Sequence, residues 1–235
     1  MLTALTSGAN VSADNISGEG THSLSARAYH HGDLRAALLA AASKQIEQIG
    51  FEDLSLRDLA ASLEVSRAAP YRHFANRREL LAAIGAGGFK QLESAANAAM
   101  ARNATPSARL AAGARAYLAF AARRPHLFRL MFVSDLLTGP EPRDPALIAV
   151  ANRFHRRFEA LVAENCTSQD PRAIKAASLT FWSILHGFAL LRMGERLLPF
   201  MLGPLTEAEL REAVLKAATA IPASIRRKAA RRKSA

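Results

Sequence analysis

Cysteine, tryptophan and long apolar runs are nearly missing from this chain. Its single cysteine, Cys166, excludes an intramolecular disulfide and suits a reducing compartment such as the cytoplasm. No residues stand with it as a nucleophile or a metal site, so it reads as a passive thiol at a helix end. No unbroken apolar run approaches 18 residues, so no membrane-spanning segment and no membrane partner is expected. His-Glu-x-x-His, a Ser/His/Asp grouping, a paired-carboxylate site and a phosphate-cradling glycine loop are all missing. No enzyme, metal or cofactor is therefore expected. Period-2 alternation strong enough for a strand is missing too, and the chain reads as all-α.

What remains is ample material for a core: 235 residues, half of them apolar, enough for one or two domains. The net charge of +11 is unevenly placed. Residues 1–90 carry nine basic and nine acidic side chains, whereas the last ten residues carry six basic and none acidic. That run (Arg226, Arg227, Lys228, Arg231, Arg232, Lys233) is either a solvated end or a source of salt-sensitive, sequence-independent phosphate affinity. The first 28 residues, rich in Ser, Gly, Thr, Asn and Ala, read as a disordered leader and not as a signal peptide.

The most informative stretch is Ser55–Leu81, SLRDLAASLEVSRAAPYRHFANRRELL. Ser55 precedes the apolar-periodic Leu56, Leu59, Ala60 and Leu63, with Asp58 three residues on; Asn76 and Glu79 repeat the pattern before Leu80, Leu81 and Ile84. Both are helix starts. Only a short turn at Val65-Ser66 separates the first of these from a second helix, which makes a helix-turn-helix, with its second helix in a DNA major groove. That helix offers Ser66, Arg67, Ala68, Ala69, Tyr71, Arg72 and His73. Arginine can bridge guanine, alanine can touch a thymine methyl, and Tyr and His suit phosphates. The plainer alternative is an ordinary basic surface helix. Upstream, Tyr29–Gly50 reads as a first helix with Leu34, Leu38, Ala42, Ile46 and Ile49 on one buried stripe and Gly50 closing it. His30 and His31 lie at its start and Arg27 stands as a possible arm toward the duplex.

Asp33–Leu81 resembles the DNA-binding domain of the TetR family of bacterial transcriptional regulators. The resemblance rests on a first helix ending in Gly50-Phe51, then LSLRDLA, then VSRAAPYRHFANRRELL. It implies that Ser55 holds a phosphate and that Arg57 can reach a base edge. Tyr71 and His73 then grip the backbone, Arg77 or Arg78 makes a basic phosphate contact, and Arg67, Ala68, Ala69 and Arg72 read sequence. Two residues depart from the family pattern. Glu64 stands where glycine is usual, which calls for φ below zero or tolerated strain. Pro70 lies inside the recognition helix and fits best in a first turn, so regular helix is expected from about Arg67 or Ala68.

Beyond residue 90, Ala/Leu-rich helical patterns continue. Helices are expected near 76–101, 106–123, 125–134, 145–165, 171–195 and 206–220. Phe128, Met131, Phe132, Phe154, Phe158, Phe181 and Trp182 form an apolar inventory, from which Phe128, Met131, Phe132, Phe158, Trp182 and His186 are the candidate ligand-pocket residues; helical aromatics are also ordinary core. Trp182, His186 and Gly187 resemble the Trp-His-Gly signature of a TetR C-terminal subgroup, the WHG-type domain. Trp182 and His186 share a helical face, and Gly187 is expected to admit a close helix. The expected domains are 1–28 leader, 29–80 DNA-binding, 81–222 ligand-binding and dimerisation, and 223–235 basic tail. The resemblance implies a homodimer, formed through the last two helices, on a palindromic double-stranded DNA operator, and a repressor released by a small-molecule effector. An activator of the same fold, or a non-specific DNA binder driven by the tail, are the alternatives.

Overall fold

Proline sets the frame of the larger domain. The computed structural model describes residues 33–140 and 143–232, with side chains as far as Pro222, and among these residues five helices begin at a proline. Proline lacks the amide hydrogen that a first helical residue would leave unpaired, and its φ is already helical. Three of these starts are capped by the residue before. Thr105 Oγ1 accepts from the Ala108 amide at 3.2 Å, Asp144 Oδ1 from Leu147 at 2.7 Å and Asp170 Oδ1 from Arg172 at 3.0 Å.

The helices are α1 (Leu34–Ile49), α2 (Leu56–Ser62), α3 (Arg77–Met100), α4 (Pro106–Arg123), α5 (Pro125–Phe132), α6 (Pro145–Ala163), α7 (Pro171–Met193), α8 (Pro199–Leu202) and α9 (Glu207–Arg232), with a 3-10 turn at Pro70–Arg72. No strand occurs among the described residues. The short α8 has no counterpart in the sequence reading. The last helix, expected to stop near 220, continues across Pro222 to Arg232. One proline removes a single ladder bond, and the Ala-, Lys- and Arg-rich run behind it favours helix. The leader 1–28, Arg27, His30 and His31 lie outside the described residues, as do residues 233–235.

In the N-terminal domain, Asp33 caps α1 through Oδ1 and the Ala36 amide at 3.1 Å. Leu38, Ala42 and Ile46 are fully buried against Leu54, Leu56, Leu59, Phe74 and Leu80. Ile49, expected on this stripe, is 49 % exposed, because Gly50 at φ 87° ends the helix beside it. The end of α2 is a Schellman motif: Val65 N–H donates to Ala60 O at 3.0 Å and Glu64 N–H to Ala61 O at 3.1 Å. Glu64 occupies the left-handed position at φ 55°, so this site takes the strained option.

The recognition segment departs from expectation. A regular helix from Arg67 would need the Pro70 nitrogen to donate to Ser66 O. Ala69 N–H makes that contact instead, at 2.9 Å, and the next bonds, Arg72 to Ala69 at 3.2 Å and His73 to Pro70 at 3.0 Å, keep the tighter i→i+3 spacing. The result is two linked turns ending in a 3-10 helix, still right-handed.

Helix α3 starts in this domain and, at 24 residues, runs about 36 Å into the larger one. There it packs on α4, α5 and α6, while α7 packs on α4, α6 and α9. Gly88 allows the α3–α5 approach: a Cβ there would stand 2.5 Å from Met131 Sδ. Helix α7 is long and apolar enough to span a membrane by length and composition, with a third of the relevant window buried inside the protein.

Candidate nucleic-acid interface and ligand cavity

The basic side chains of the N-terminal domain fall into two groups. Arg57, Ser66, Arg67, Ala68, Tyr71 and Arg72 are exposed on α2 and the recognition segment, with Ala69 and His73 half-buried among them. None of the Arg57, Arg67, Tyr71, Arg72 or His73 side chains has a hydrogen bond or ion pair to a described residue, which leaves a cationic, aromatic surface uncommitted. Ser55 Oγ caps α2, accepting from the Arg57 and Asp58 amides at 3.2 and 3.4 Å. The helix N-terminus it marks has the polarity that suits a phosphate.

Arg77 and Arg78, expected as phosphate contacts, are engaged inside the chain. Arg77 donates to the carbonyls of Leu54 (2.8 Å), Glu52 (2.9 Å) and Phe51, which ties the α1–α2 loop to the start of α3. Arg78 meets Asp135 through its carboxylate at 2.9 Å and its carbonyl at 3.1 Å. At the α3 start, Asn76 Oδ1 accepts from the Glu79 amide at 2.9 Å and Glu79 Oε2 from the Ala75 amide at 2.6 Å, a reciprocal cap.

Helix α5 lies against this domain on one side. Arg124, at its start, pairs with Glu47 of α1 at 2.7 Å, and Arg129 pairs with Glu52 at 2.7 Å while its guanidinium covers the Phe51 ring at 5.8 Å. His126 Nδ1 is buried there without a hydrogen-bond partner. The other side of α5 carries Phe128 and Phe132, whose rings stand 5.6 and 5.4 Å from His186 of α7.

Between α3, α4, α6 and α7 is a cavity of about 400 Å³. Of the six residues expected to line a pocket, Phe132, Phe158 and Trp182 do so. Phe128, Met131 and His186 do not: the two α5 side chains are packed into the core at 0 and 2 % exposure, and His186 lies behind Trp182, stacked on it at 4.7 Å. Sequence reasoning missed most of the other lining residues, among them Phe89, Glu93, Arg143, Arg157 and Tyr117. Tyr117 Oη stands 2.8 Å from His186 Nδ1 and 3.3 Å from Trp182 Nε1. Burial drives the Tyr117 phenol far above its usual range, opposed by the Trp182 hydrogen bond, and burial lowers the His186 pKa. Among the described residues no helix comes close at Gly187, since a Cβ there would meet nothing within 4 Å.

Residues 38–84 match the family model for bacterial regulatory proteins of the tetR family, and residues 110–218 match the tetracyclin repressor-like C-terminal domain. A solved protein of unknown function from Rhodococcus sp. RHA1 is 31 % identical, with 82 % of this chain and 95 % of that one covered and a TM-score of 0.68. A TetR-family transcriptional regulator from Streptomyces coelicolor shares the fold at 21 % identity, 82 and 95 % coverage and a TM-score of 0.59. So does a substituted TetR from Acinetobacter baumannii AYE solved in complex with minocycline, at 20 % identity, 82 and 92 % coverage and a TM-score of 0.54. No curated protein gives a significant match. The two family models, one over the N-terminal helices and one over most of the larger domain, name the same family: the chain belongs to the TetR family of DNA-binding transcriptional regulators and is not an enzyme.

Proposed function

We propose that this regulator is a homodimeric cytoplasmic repressor, released from a palindromic operator when a small molecule occupies the cavity. The observation that carries this is the position of α5. One side of the helix surrounds His186 behind the cavity wall, and the other is pinned to Glu47 and Glu52 of the DNA-binding domain. A ligand that displaces the wall shifts α5, and with it the ion pairs that set the domain's orientation. These pairs are partly exposed and contribute roughly 0.2–1 kcal/mol each. Together with Arg78–Asp135 they total about 1–2 kcal/mol, the usual size of coupling between two sites.

In this reading Arg67, Ala68, Ala69 and Arg72 face base edges, Arg57 reaches a further base, and Ser55, Ser66, Tyr71 and His73 hold the backbone. Arg77 and Arg78 position the loops instead of meeting phosphate. The dimer forms through α7 and α9; on α7, Leu179, Ser183, Leu190 and Leu191 are exposed and Gly187 is half-buried, a stripe of small and apolar residues at helical spacing. Small residues there admit a close partner helix, and among the described residues nothing stands within 4 Å of a Cβ at Gly187. Two-fold symmetry then sets the recognition segments about 34 Å apart, one turn of DNA.

Selection against random-sequence DNA tests the reading. A two-fold-symmetric site should be enriched, relaxed at one position per half by Arg67→Ala, and retained after residues 226–235 are deleted. Uniform affinity that disappears with those residues would overturn it. Transcription from a promoter overlapping the selected site should fall on adding the protein; a rise would make it an activator.

A further inference from the structure

We propose that the cavity selects an apolar monocarboxylate of about a dozen heavy atoms. Its chain lies among the aromatic side chains and its carboxylate at the mouth, against Arg157 and Arg143. This rests on the cavity being the effector site.

Size comes first. Taking the roughly 30 Å³ of liquid volume that one water occupies as the share of one heavy atom, a cavity of about 400 Å³ holds a dozen or so atoms. The interior walls are apolar: Phe89, Phe132, Phe154, Phe158, Phe181 and Trp182 enclose the space. The buried hydroxyl of Tyr117 is engaged by His186 and Trp182, and the lining Asn97 and Asn152 are exposed, so a charged head sits at the rim.

The rim has the wrong balance for a cation. Glu93 is the acidic lining residue and its side chain is only 13 % exposed. Its two oxygens are already taken, Oε1 by Arg157 and Oε2 by Arg153 at 3.6 Å. Two guanidiniums against one carboxylate leave an excess positive charge, and the lining residue Arg143 adds another, making no ion pair with a described residue. The remaining charges nearby offset one another, with Glu159 held between His155 and Lys175. An ammonium would have to compete with two arginines for Glu93. A carboxylate meets donors in surplus, in the paired geometry guanidinium favours. Because the Arg157 side chain is 59 % exposed, solvent screens the gain, and the expected preference is about tenfold, not a thousandfold.

Trp182 is the sole tryptophan and lines the cavity, so its fluorescence reports occupancy. Titrations of the full chain with decanoate, decan-1-ol and decylamine share one apolar chain and vary the head. Decanoate should bind about tenfold tighter than decan-1-ol, with decylamine weakest. Arg157→Gln should remove that advantage while leaving decan-1-ol unchanged, and Glu93→Gln should enlarge it. The proposal is overturned if decylamine equals or exceeds decanoate, if the advantage survives Arg157→Gln, or if no probe gives a saturable response. Operator affinity measured in parallel separates the two readings. Decanoate bound without any change in operator affinity sinks the effector reading and leaves the acid-selective site standing. Release by decylamine alone does the reverse.

Discussion

Tyr117 and His186 meet between α4 and α7, Oη to Nδ1 at 2.8 Å, with the Trp182 indole nitrogen 3.3 Å from the same oxygen. The protons follow from donor capacity. An indole N–H can only donate, so Tyr117 Oη accepts from Trp182, and its own hydrogen is left to donate to His186 Nδ1 in the neutral tautomer that carries its proton on Nε2. Burial favours the neutral form of both titratable members. The Trp-His-Gly signature thus gains a third polar partner from a different helix.

Tyr117→Phe tests that arrangement. Removing the hydroxyl leaves His186 Nδ1 and Trp182 Nε1 without their partner, at a cost of about 1–2 kcal/mol. For a chain of this size the melting temperature should fall by roughly 2–8 °C, with a shift in Trp182 emission. An unchanged melting temperature would show that solvent replaces the hydroxyl freely.

The same network predicts a pH dependence. His186 has its folded pKa lowered from the ordinary 6.5 by burial. Between that folded value and 6.5 the unfolded chain holds the proton and the folded chain does not. Stability from this group is therefore complete above about 6.5 and declines as pH falls through the window. Melting curves from pH 7.5 to 5 should show the decline, and His186→Gln should flatten it; parallel curves for the two proteins would contradict the assignment.

Glu64 holds φ 55° in the Schellman turn after α2, and its side chain has no partner among the described residues. Glycine adopts this backbone without the steric cost but has more freedom to lose on folding. Glu64→Gly should be net stabilising by about 0.5–1 kcal/mol, read as a small rise in melting temperature. A fall would mean the turn is held by something other than backbone geometry.

Two arginines five residues apart should behave oppositely. Arg77→Ala strands the carbonyls of Phe51, Glu52 and Leu54 and should lower stability by about 1–3 kcal/mol. Arg72→Ala, exposed and uncommitted, should stay within about 0.5 kcal/mol while weakening operator binding. Equal effects on stability, or intact DNA affinity in Arg72→Ala, would be contrary to the separation of roles.

Helix class and most helix boundaries were legible in the sequence because they depend on contacts within four residues. Thr105-Pro106, Asp144-Pro145 and Asp170-Pro171 announce their helices, and Ser55 and Asn76 announce theirs. Pro70 reads as compatible with a regular helix from about Arg67, whereas its missing amide hydrogen leaves the segment as tight i→i+3 turns. The short α8 and the continuation past Pro222 escaped: a four-residue helix has no period to detect, and one proline does not end a strongly helical run.

The sites were decided by partners far away in the chain. Arg77 looks like any basic residue at a helix start until the fold brings three loop carbonyls within its reach. Phe128 and Phe132 are one turn apart on α5, yet only Phe132 lines the cavity, because Phe128 is fully buried in the core beside Tyr117 and His186. Tyr117 resembles a core residue of an amphipathic helix, and its role appears only when α7 delivers a histidine and an indole 69 and 65 positions later. Sequence by itself determined the helices, their caps and the DNA-reading motif, since backbone hydrogen bonding is local. Tertiary packing alone decided which arginines remain free, which aromatics enclose space and which polar groups share a proton, since each depends on side chains that chain distance does not relate.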